Sequence, residues 1–504
     1  MKNFIAVMAL ALFSLVAGCA TAQNPTRSTQ PKREFRGAWM QCVNGMYLGK
    51  SSEEVRNMLS SQLDVLQRAR INAIMFQVRP EGDALYKSSY EPWSRYLTGT
   101  QGQAPADGWD PLQWMVEQCH ARGMECHAWI NPYRMKTKGT TALASNHLAM
   151  QHKEWIVPYG DLYILNPALE VSRMYTCMVV EDILQHYDVD GIHMDDYFYP
   201  YPEAGLKFND QAWFERDSRG FTNIADWRRD NVNMLIRDLH QLVRDTKPWV
   251  KFGISPFGIY RNDPSEKNTE RGSATRGLQN YDDLYADVVK WQKEGWVDYI
   301  IPQVYWNFGT KAADYGVLLH WWNDFCSNRP VLIGQDVERT VKGQDPNDST
   351  RHQMDAKYQL QRRLPNIQGS CQWYAAAVVN NPSNYCTILE KVYHKYPALQ
   401  PKMTFIDSQA PKKPKKIKMR VQDGQTVLYW KKDRTRKQMN KTVAYVVYDF
   451  SADQIIDLEN PANILTITPN NAVVLQGDFS GHTIMVTALD RLHNESEPVH
   501  YVLQ

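Results

Sequence analysis

Residues 189–200 read VDGIHMDDYFYP. A short apolar run leads into two adjacent aspartates, Asp195 and Asp196, and then into a cluster of tyrosines and a proline. Neighbouring acids at the end of a hydrophobic segment are costly to remove from water without partners, so their place in the fold decides what they are for. Side chains on a strand alternate between its two faces. If 191–195 is a strand, Ile192 and Met194 share one face, and His193 and Asp195 share the other. Asp196 then falls in the turn beyond, pointing away from that second face or over the rim.

The segments on either side repeat one pattern. Strand-like runs stand at EFRGAWM (34–40), AIMFQV (73–78), CHAWI (126–130), GIHMD (191–195), KFGIS (251–255), YIIPQ (299–303), VLIG (331–334) and GSCQWY (369–374). Each is followed by a helical pattern. Residues 54–70 space Val55, Met58, Leu59, Leu63 and Leu66 at helical intervals. Asp110-Pro111 reads as an N-cap with proline at the first helical position, and Arg122-Gly123 as a stop. Asn166-Pro167 reads as a second such cap, opening a helix with Val171, Met174, Met178, Val179 and Ile183 on one face. Further helices are expected near 226–244, 282–294, 314–326, 353–363 and 385–393. Eight strand-then-helix units predict an α/β fold, a (β/α)8 TIM barrel over 33–401. A doubly wound open sheet is the alternative, but it usually has fewer repeats, and no glycine-rich phosphate loop supports it.

The flanks differ in kind. The N-terminus, MKNFIAVMALALFSLVAGCATAQ, is a secretory signal too short for a comfortable membrane span. Its Val16-Ala17-Gly18-Cys19 ending resembles a bacterial lipobox, so 1–19 is expected to be a lipoprotein signal peptide with Cys19 the lipid attachment site. Residues 20–32, rich in Thr, Gln, Asn and Pro, are expected to be a flexible tether. The protein is then held at the cell envelope through its lipid anchor; Ala20 and Thr21, with no acidic run, favour the outer membrane facing the periplasm. Seven cysteines besides Cys19, with no CxxC pair, read as buried free thiols. Residues 402–418, ending PKKPKKIK, read as a solvated linker, and 419–504 as a small β-sandwich similar to a fibronectin type III module. That module has no acid pair of its own and reads as a spacer or substrate anchor dispensable for chemistry. A net charge of +2 gives no reason to expect a nucleic-acid partner.

In a TIM barrel, functional groups gather at the C-terminal ends of the strands. Those ends carry Arg79 and Asp83 after strand two, Asn131, Tyr133 and Arg134 after strand three, His193, Asp195, Asp196 and Tyr197 at strand four, Gln303, Tyr305 and Trp306 at strand six, Asp336 after strand seven and Trp373 on strand eight. Aromatic faces mixed with amides, arginines and carboxylates suit sugars, which have apolar ring faces and many hydroxyls. These residues are the candidate glycan-binding set. His193 and the two aspartates include possible metal ligands, but no HxH or HxxE companion stands nearby, so neither metal nor cofactor is expected.

The runs FRGAWM (35–40), FQVRPEGDALYKSSYEPWSRYLTG (76–99), HAWINPYR (127–134), VDGIHMDDYFYP (189–200), DWRRDNVN (226–233) and FGISPFGIYRN (252–262) resemble the glycosyl-hydrolase-like family 10 of bacteria. The resemblance implies a TIM-barrel hydrolase of a bacterial glycan. Through a divisome-localised member, it implies peptidoglycan strands stripped of their peptides.

Glycoside hydrolysis generally needs two carboxyl groups flanking the scissile bond. Asp195 is expected to take part directly, and Asp196 to support it. Glu203, in the YFYPYPE loop, is the first choice for a partner acid, followed by Asp336 and then Glu81 or Asp83. Strand five ends Ser255-Pro256-Phe257 and offers no acid. Substrate assistance, with an N-acetyl group as nucleophile, gives both aspartates a role. A non-catalytic glycan-binding lipoprotein, a hydrolase of another polysaccharide and a metal-dependent deacetylase are the competing readings.

Overall fold

The computed structural model describes residues 30–140, 142–423, 425–435 and 437–503. The expected signal peptide, Cys19 and all but the last residues of the tether lie outside these described residues. Eight strands form a closed barrel: β1 (Phe35–Met40), β2 (Ala73–Arg79), β3 (Glu125–Ile130), β4 (Gly191–Met194), β5 (Lys251–Ile254), β6 (Tyr299–Ile300), β7 (Val331–Asp336) and β8 (Ile367–Trp373). All neighbours are parallel, and β8 closes on β1 with Gly369 opposite Phe35.

The alternation of side chains sorts the two layers. Ile74, Phe76, Ala128, Ile192 and Met194 point outward into the cluster shared with the helices. Phe35, Trp39, Met75, Trp129, Tyr299, Leu332 and Cys371 point inward and fill the barrel.

The helices are set by local signals. Ser51 and Glu54 form a capping box at the start of helix Ser52–Arg68. Asp110 accepts the Gln113 N–H at the start of Pro111–Ala121. Two expectations shift. Asn166 caps only a turn, accepting the Ala168 N–H, and the helix starts later, as Glu170–His186. Its Val171, Met174 and Met178 are exposed, because Ser172 and Thr176 face the barrel, where Thr176 donates to the Pro132 carbonyl. The helix expected at 282–294 is broken into Asn280–Asp283 and Val288–Lys293, with Tyr285 between them at φ 55 in the left-handed region.

The C-terminal region folds into a three-stranded antiparallel sheet (Lys415–Gln422, Gln425–Lys431, Ala472–Leu475) and a four-stranded one (Ile464–Thr468, Ala444–Phe450, Thr483–Leu489, Val499–Val502). Leu428 and Trp430 of the first pack against Tyr445, Val447, Ile484 and Val486 of the second. The first strand begins inside the stretch expected as linker, and Met403 of that stretch is buried.

This module is not a free spacer. Its loop at 490–495 closes the N-terminal end of the barrel. Leu492 is fully buried in the barrel-interior cluster beside Phe35 and Met403. Lys251 at the start of β5 donates to the Arg491 carbonyl (3.1 Å), and His493 meets Glu125 at the start of β3 (2.7 Å). The sequence shows no acid pair in this module, but it carries an apolar plug for the barrel floor. Removing a buried leucine leaves a cavity, so Leu492→Ala is expected to lower stability by about 2–4 kcal/mol in denaturant titration. Leu465→Ala, at a position 38% exposed, should cost less than about 0.5 kcal/mol.

Candidate active site

A cleft of about 420 Å³ opens at the C-terminal end of the barrel. Eight of its thirteen lining residues are aromatic: Trp39, Trp129, Tyr197, Tyr201, Phe257, Tyr305, Trp306 and Trp373. Trp373 lies 6.0 Å from both Trp39 and Tyr305 and 6.2 Å from Trp129, ring centre to ring centre. Lys357, buried behind the β6 loop, donates to the Trp306 carbonyl (3.0 Å) and holds that ring's backbone in place.

Asp195 and Asp196 are the only carboxylates among the lining residues. Asp195 accepts from Trp129 Nε1 on Oδ2 (3.0 Å), and from Asn131 Nδ2 (3.0 Å) and the Tyr197 N–H (3.4 Å) on Oδ1. Asp196 accepts from the Tyr201 hydroxyl on Oδ2 and from Gln303 Nε2 (3.0 Å) on Oδ1. Of the two directions expected for Asp196, away from the axis or over the rim, the first does not occur, and its carboxyl lines the cleft. β4 ends at Met194, so the period of two no longer governs residues 195 and 196.

Burial pushes both carboxyls up. For Asp195 that effect is opposed by the Arg134 charge and by its three donors. For Asp196 the charge of Asp195 adds to burial, and its pKa is pushed up to about 6. The two neighbouring carboxyls thus differ in surroundings: a cation and three donors oppose the rise at Asp195, whereas Asp196, facing the charge of Asp195, holds its proton up to about pH 6.

The other candidates divide between cleft and support. Tyr197, Gln303, Tyr305, Trp306 and Trp373 line the cleft, and Asn131 orients Asp195. Arg134 donates to the Pro80 carbonyl (2.9 Å) with its guanidinium 4.9 Å from the centre of the Tyr197 ring.

Several candidates lie elsewhere. His193 sits one layer below the cleft, both ring nitrogens taken by Trp39 and Tyr299, and so is unavailable to sugar or metal. Tyr133 faces the outer layer and is buried there. Arg79 is buried against Glu91 (2.6 Å). Asp83 is buried beside Glu81 and Gln101, its pKa pushed up to about 7 by burial and by Glu81. Glu81 itself is taken by Arg95, Thr137 and Thr140. Asp336 caps helix Val337–Lys342 by accepting the Arg339 N–H (2.8 Å).

Glu203, the expected partner acid, is exposed and does not line the cleft; Tyr201, two residues earlier, does. The sequence candidates omitted Trp39, Trp129, Tyr201, Ser255, Phe257 and Arg339. Inward alternation at the ends of β1 and β3 points to the two tryptophans. No local signal marks Arg339, which reaches the cleft from a helix. Among the described residues, no group of three or more His, Cys, Asp or Glu converges as a metal site would need.

The family model described as Glycosyl hydrolase-like 10 matches residues 34–350. The chain is 37% identical over 513 residues to Glycosyl hydrolase YngK of Bacillus subtilis (strain 168), covering 96% of each chain. It is 37% identical over 332 residues to Glycosyl hydrolase DigH of Escherichia coli (strain K12), covering 62% of this chain and 74% of that one. Among solved structures it is similar to the PgaB (BpsB) glycoside hydrolase domain from Bordetella bronchiseptica, with TM-score 0.48 and 13% identity over 73% of this chain and 100% of that one.

The raised Asp196 has a consequence for stability. An acid whose folded pKa exceeds its unfolded value binds more protons when folded, so stability is lost as pH rises from about 4 to about 6. Asp196→Asn removes the buried charge. It is expected to melt higher than the wild type at pH 7.5, by on the order of 2 kcal/mol, with the two curves converging near pH 4. Calorimetric scans at the two pH values check this; a variant less stable at pH 7.5 would contradict it.

Proposed function

The chain belongs to the glycosyl hydrolase-like 10 family, and on that premise we propose that it hydrolyses glycosidic bonds in an N-acetylated bacterial glycan, namely peptidoglycan strands stripped of their peptides. The observation that carries this reading is that the two carboxylates in the cleft are adjacent, with no third acid across from them. A pair flanking the scissile bond from opposite sides is the usual requirement, and substrate assistance is the known way around it.

In the proposed reaction, Asp196 gives its proton to the glycosidic oxygen as that bond breaks. The acetamido oxygen of the same sugar attacks the anomeric carbon, and Asp195 accepts the acetamido N–H as positive charge develops. Water then opens the cyclic intermediate, returning its proton to Asp196. Asp195 is suited to its part because Trp129, Asn131 and the Tyr197 N–H already orient both its oxygens. Asp196 is suited to its part because it retains its proton up to about pH 6.

The aromatic walls supply faces for sugar rings, and Arg339 supplies donors at the rim, while both Gln303 amide N–H groups are taken by Asp196 and the Ser255 carbonyl. The choice of peptide-free strands follows the sequence resemblance. The Val16-Ala17-Gly18-Cys19 ending supports a lipid anchor at Cys19 on the periplasmic side of the outer membrane. Seven antiparallel strands in two packed sheets support a fibronectin type III-like reading of the C-terminal module.

Denuded strands, N-acetylated and chemically de-N-acetylated, are to be incubated with the protein and the products read by mass spectrometry. Cleavage of the acetylated polymer alone is expected; equal cleavage of both would sink N-acetyl assistance. Asp195→Asn should lower kcat by about 10³ with oligosaccharide binding changed less than about threefold, because the charge acts on the transition state. Turnover near the wild-type rate in that variant would remove Asp195 from the chemistry. Because the acid must be protonated, kcat/KM should fall about tenfold per pH unit above about 6.

A further inference from the structure

A line of hydrogen bonds runs through the barrel interior from its floor to the cleft. Trp39 Nε1 donates to His193 Nε2 (3.1 Å). His193 Nδ1 meets the Tyr299 hydroxyl (3.1 Å), which meets His127 Nδ1 (2.8 Å). His127 Nε2 meets Glu125 Oε2 (2.9 Å). On the other carboxylate oxygen, Glu125 Oε1 takes Lys251 Nζ and His493 Nε2 (2.7 Å), the latter from the C-terminal module.

The barrel is shaped around these rings. A Cβ on Gly191 would lie 2.2 Å from His127 Nδ1, and one on Gly253 would lie 2.1 Å from Tyr299 Cζ. Both strands carry glycine where any other residue would displace the line.

Its polarity follows from the donor inventory. An indole N–H can only donate, so His193 Nε2 must accept, and its ring proton sits on Nδ1. That proton goes to the Tyr299 oxygen, leaving the Tyr299 O–H for His127 Nδ1. The His127 proton therefore sits on Nε2 and goes to Glu125. Every donor is used once, and the line terminates on a carboxylate. Burial would raise the Glu125 pKa, but Lys251, His493 and His127 hold it well below the usual range, so the terminus remains an acceptor.

We propose that Glu125, at the barrel floor where the C-terminal module closes it, is a positioning residue for the glycan cleft: through His127, Tyr299 and His193 it sets the direction of the hydrogen bonds that hold the Trp39 indole in the cleft wall. Lys251 and His493 both donate to Oε1, which reserves Oε2 for His127. The module thus contributes to the cleft from the opposite end of the barrel. The kinetic part of this proposal rests on the glycosidase reading; the positional part does not.

Glu125→Gln tests it. Glutamine oxygen still accepts from Lys251 and His493, so its amide N–H is turned toward His127 Nε2. His127 must then accept there, both histidine tautomers and the Tyr299 hydroxyl reverse, and His193 Nε2–H is set against Trp39 Nε1–H. The readout is the 19F resonance of Trp39 in protein labelled with 5-fluorotryptophan, assigned by its loss in Trp39→Phe.

Glu125→Gln is expected to shift that resonance and to raise KM for a soluble oligosaccharide about three- to tenfold with kcat within about twofold, the pattern of lost uniform binding. In a Tyr299→Phe background, which keeps the ring and cuts the line, Glu125→Gln should cause no further shift. An unmoved Trp39 resonance in folded Glu125→Gln, or an undiminished shift in the Tyr299→Phe background, would overturn the proposal. If Glu125→Gln does not fold, Tyr299→Phe alone decides, since it must itself move the Trp39 resonance. If the wild type cleaves no glycan, the glycosidase reading fails while the resonance still decides the positioning role.

Discussion

Two neighbouring carboxyls held out of water at the end of β4 impose the central constraint on this molecule. Each is nearly inaccessible, and each would lose several kcal/mol of hydration as an anion without partners. The surrounding elements are arranged to meet that cost unequally. β3 and the residues after it bring Trp129 and Asn131 to Asp195, with Arg134 nearby as a charge. The β6 end and the loop after β4 bring Gln303 and Tyr201 to Asp196, neither carrying a charge. Burial raises both carboxyls, but around Asp195 a cation and three donors oppose that rise, whereas Asp196 has two neutral donors and also faces the charge of Asp195. The difference between two groups one residue apart is what acid and anion roles in one cleft require. It also makes the site one where burial of a charge lowers the stability of the fold as pH rises.

The barrel beneath the cleft is less apolar than a TIM barrel's layers of branched side chains. His127, His193, Tyr299, Glu125 and Lys251 are all buried within it or at its floor. Such groups are tolerable only when every donor and acceptor is matched. The hydrogen-bonded line achieves this for the rings along the barrel, and at the bottom the C-terminal module supplies His493 Nε2 and the Arg491 carbonyl, while His493 Nδ1 is buried without a partner. Leu492 excludes water from the same place. The N-terminal segment joins the arrangement, since Lys32 and Arg33 pair with Glu495 (2.9 and 3.4 Å). The seven-stranded module and the barrel are therefore coupled through a shared floor.

Sequence alone determined the architecture. Eight alternations of strand and helix and capping residues such as Asp110 set the elements, and the period of two within GIHM places His193 inward and Ile192 and Met194 outward, because these are local rules of backbone geometry. It also marked the end of β4 and several of the cleft's aromatic residues. What it left undetermined was decided by contacts between segments far apart in the chain. The direction of Asp196 follows from the chain leaving β4 and from partners at 201 and 303. The exclusion of Glu203, Asp83, Arg79 and Asp336 from the cleft follows from nearer partners that occupy them or from exposure to solvent. The seating of Leu492 and His493 under the barrel depends on two surfaces whose complementarity exists only once both have folded. Hydrogen-bond direction and desolvation act through space over a few ångströms, and only the tertiary structure determines which atoms come within that range.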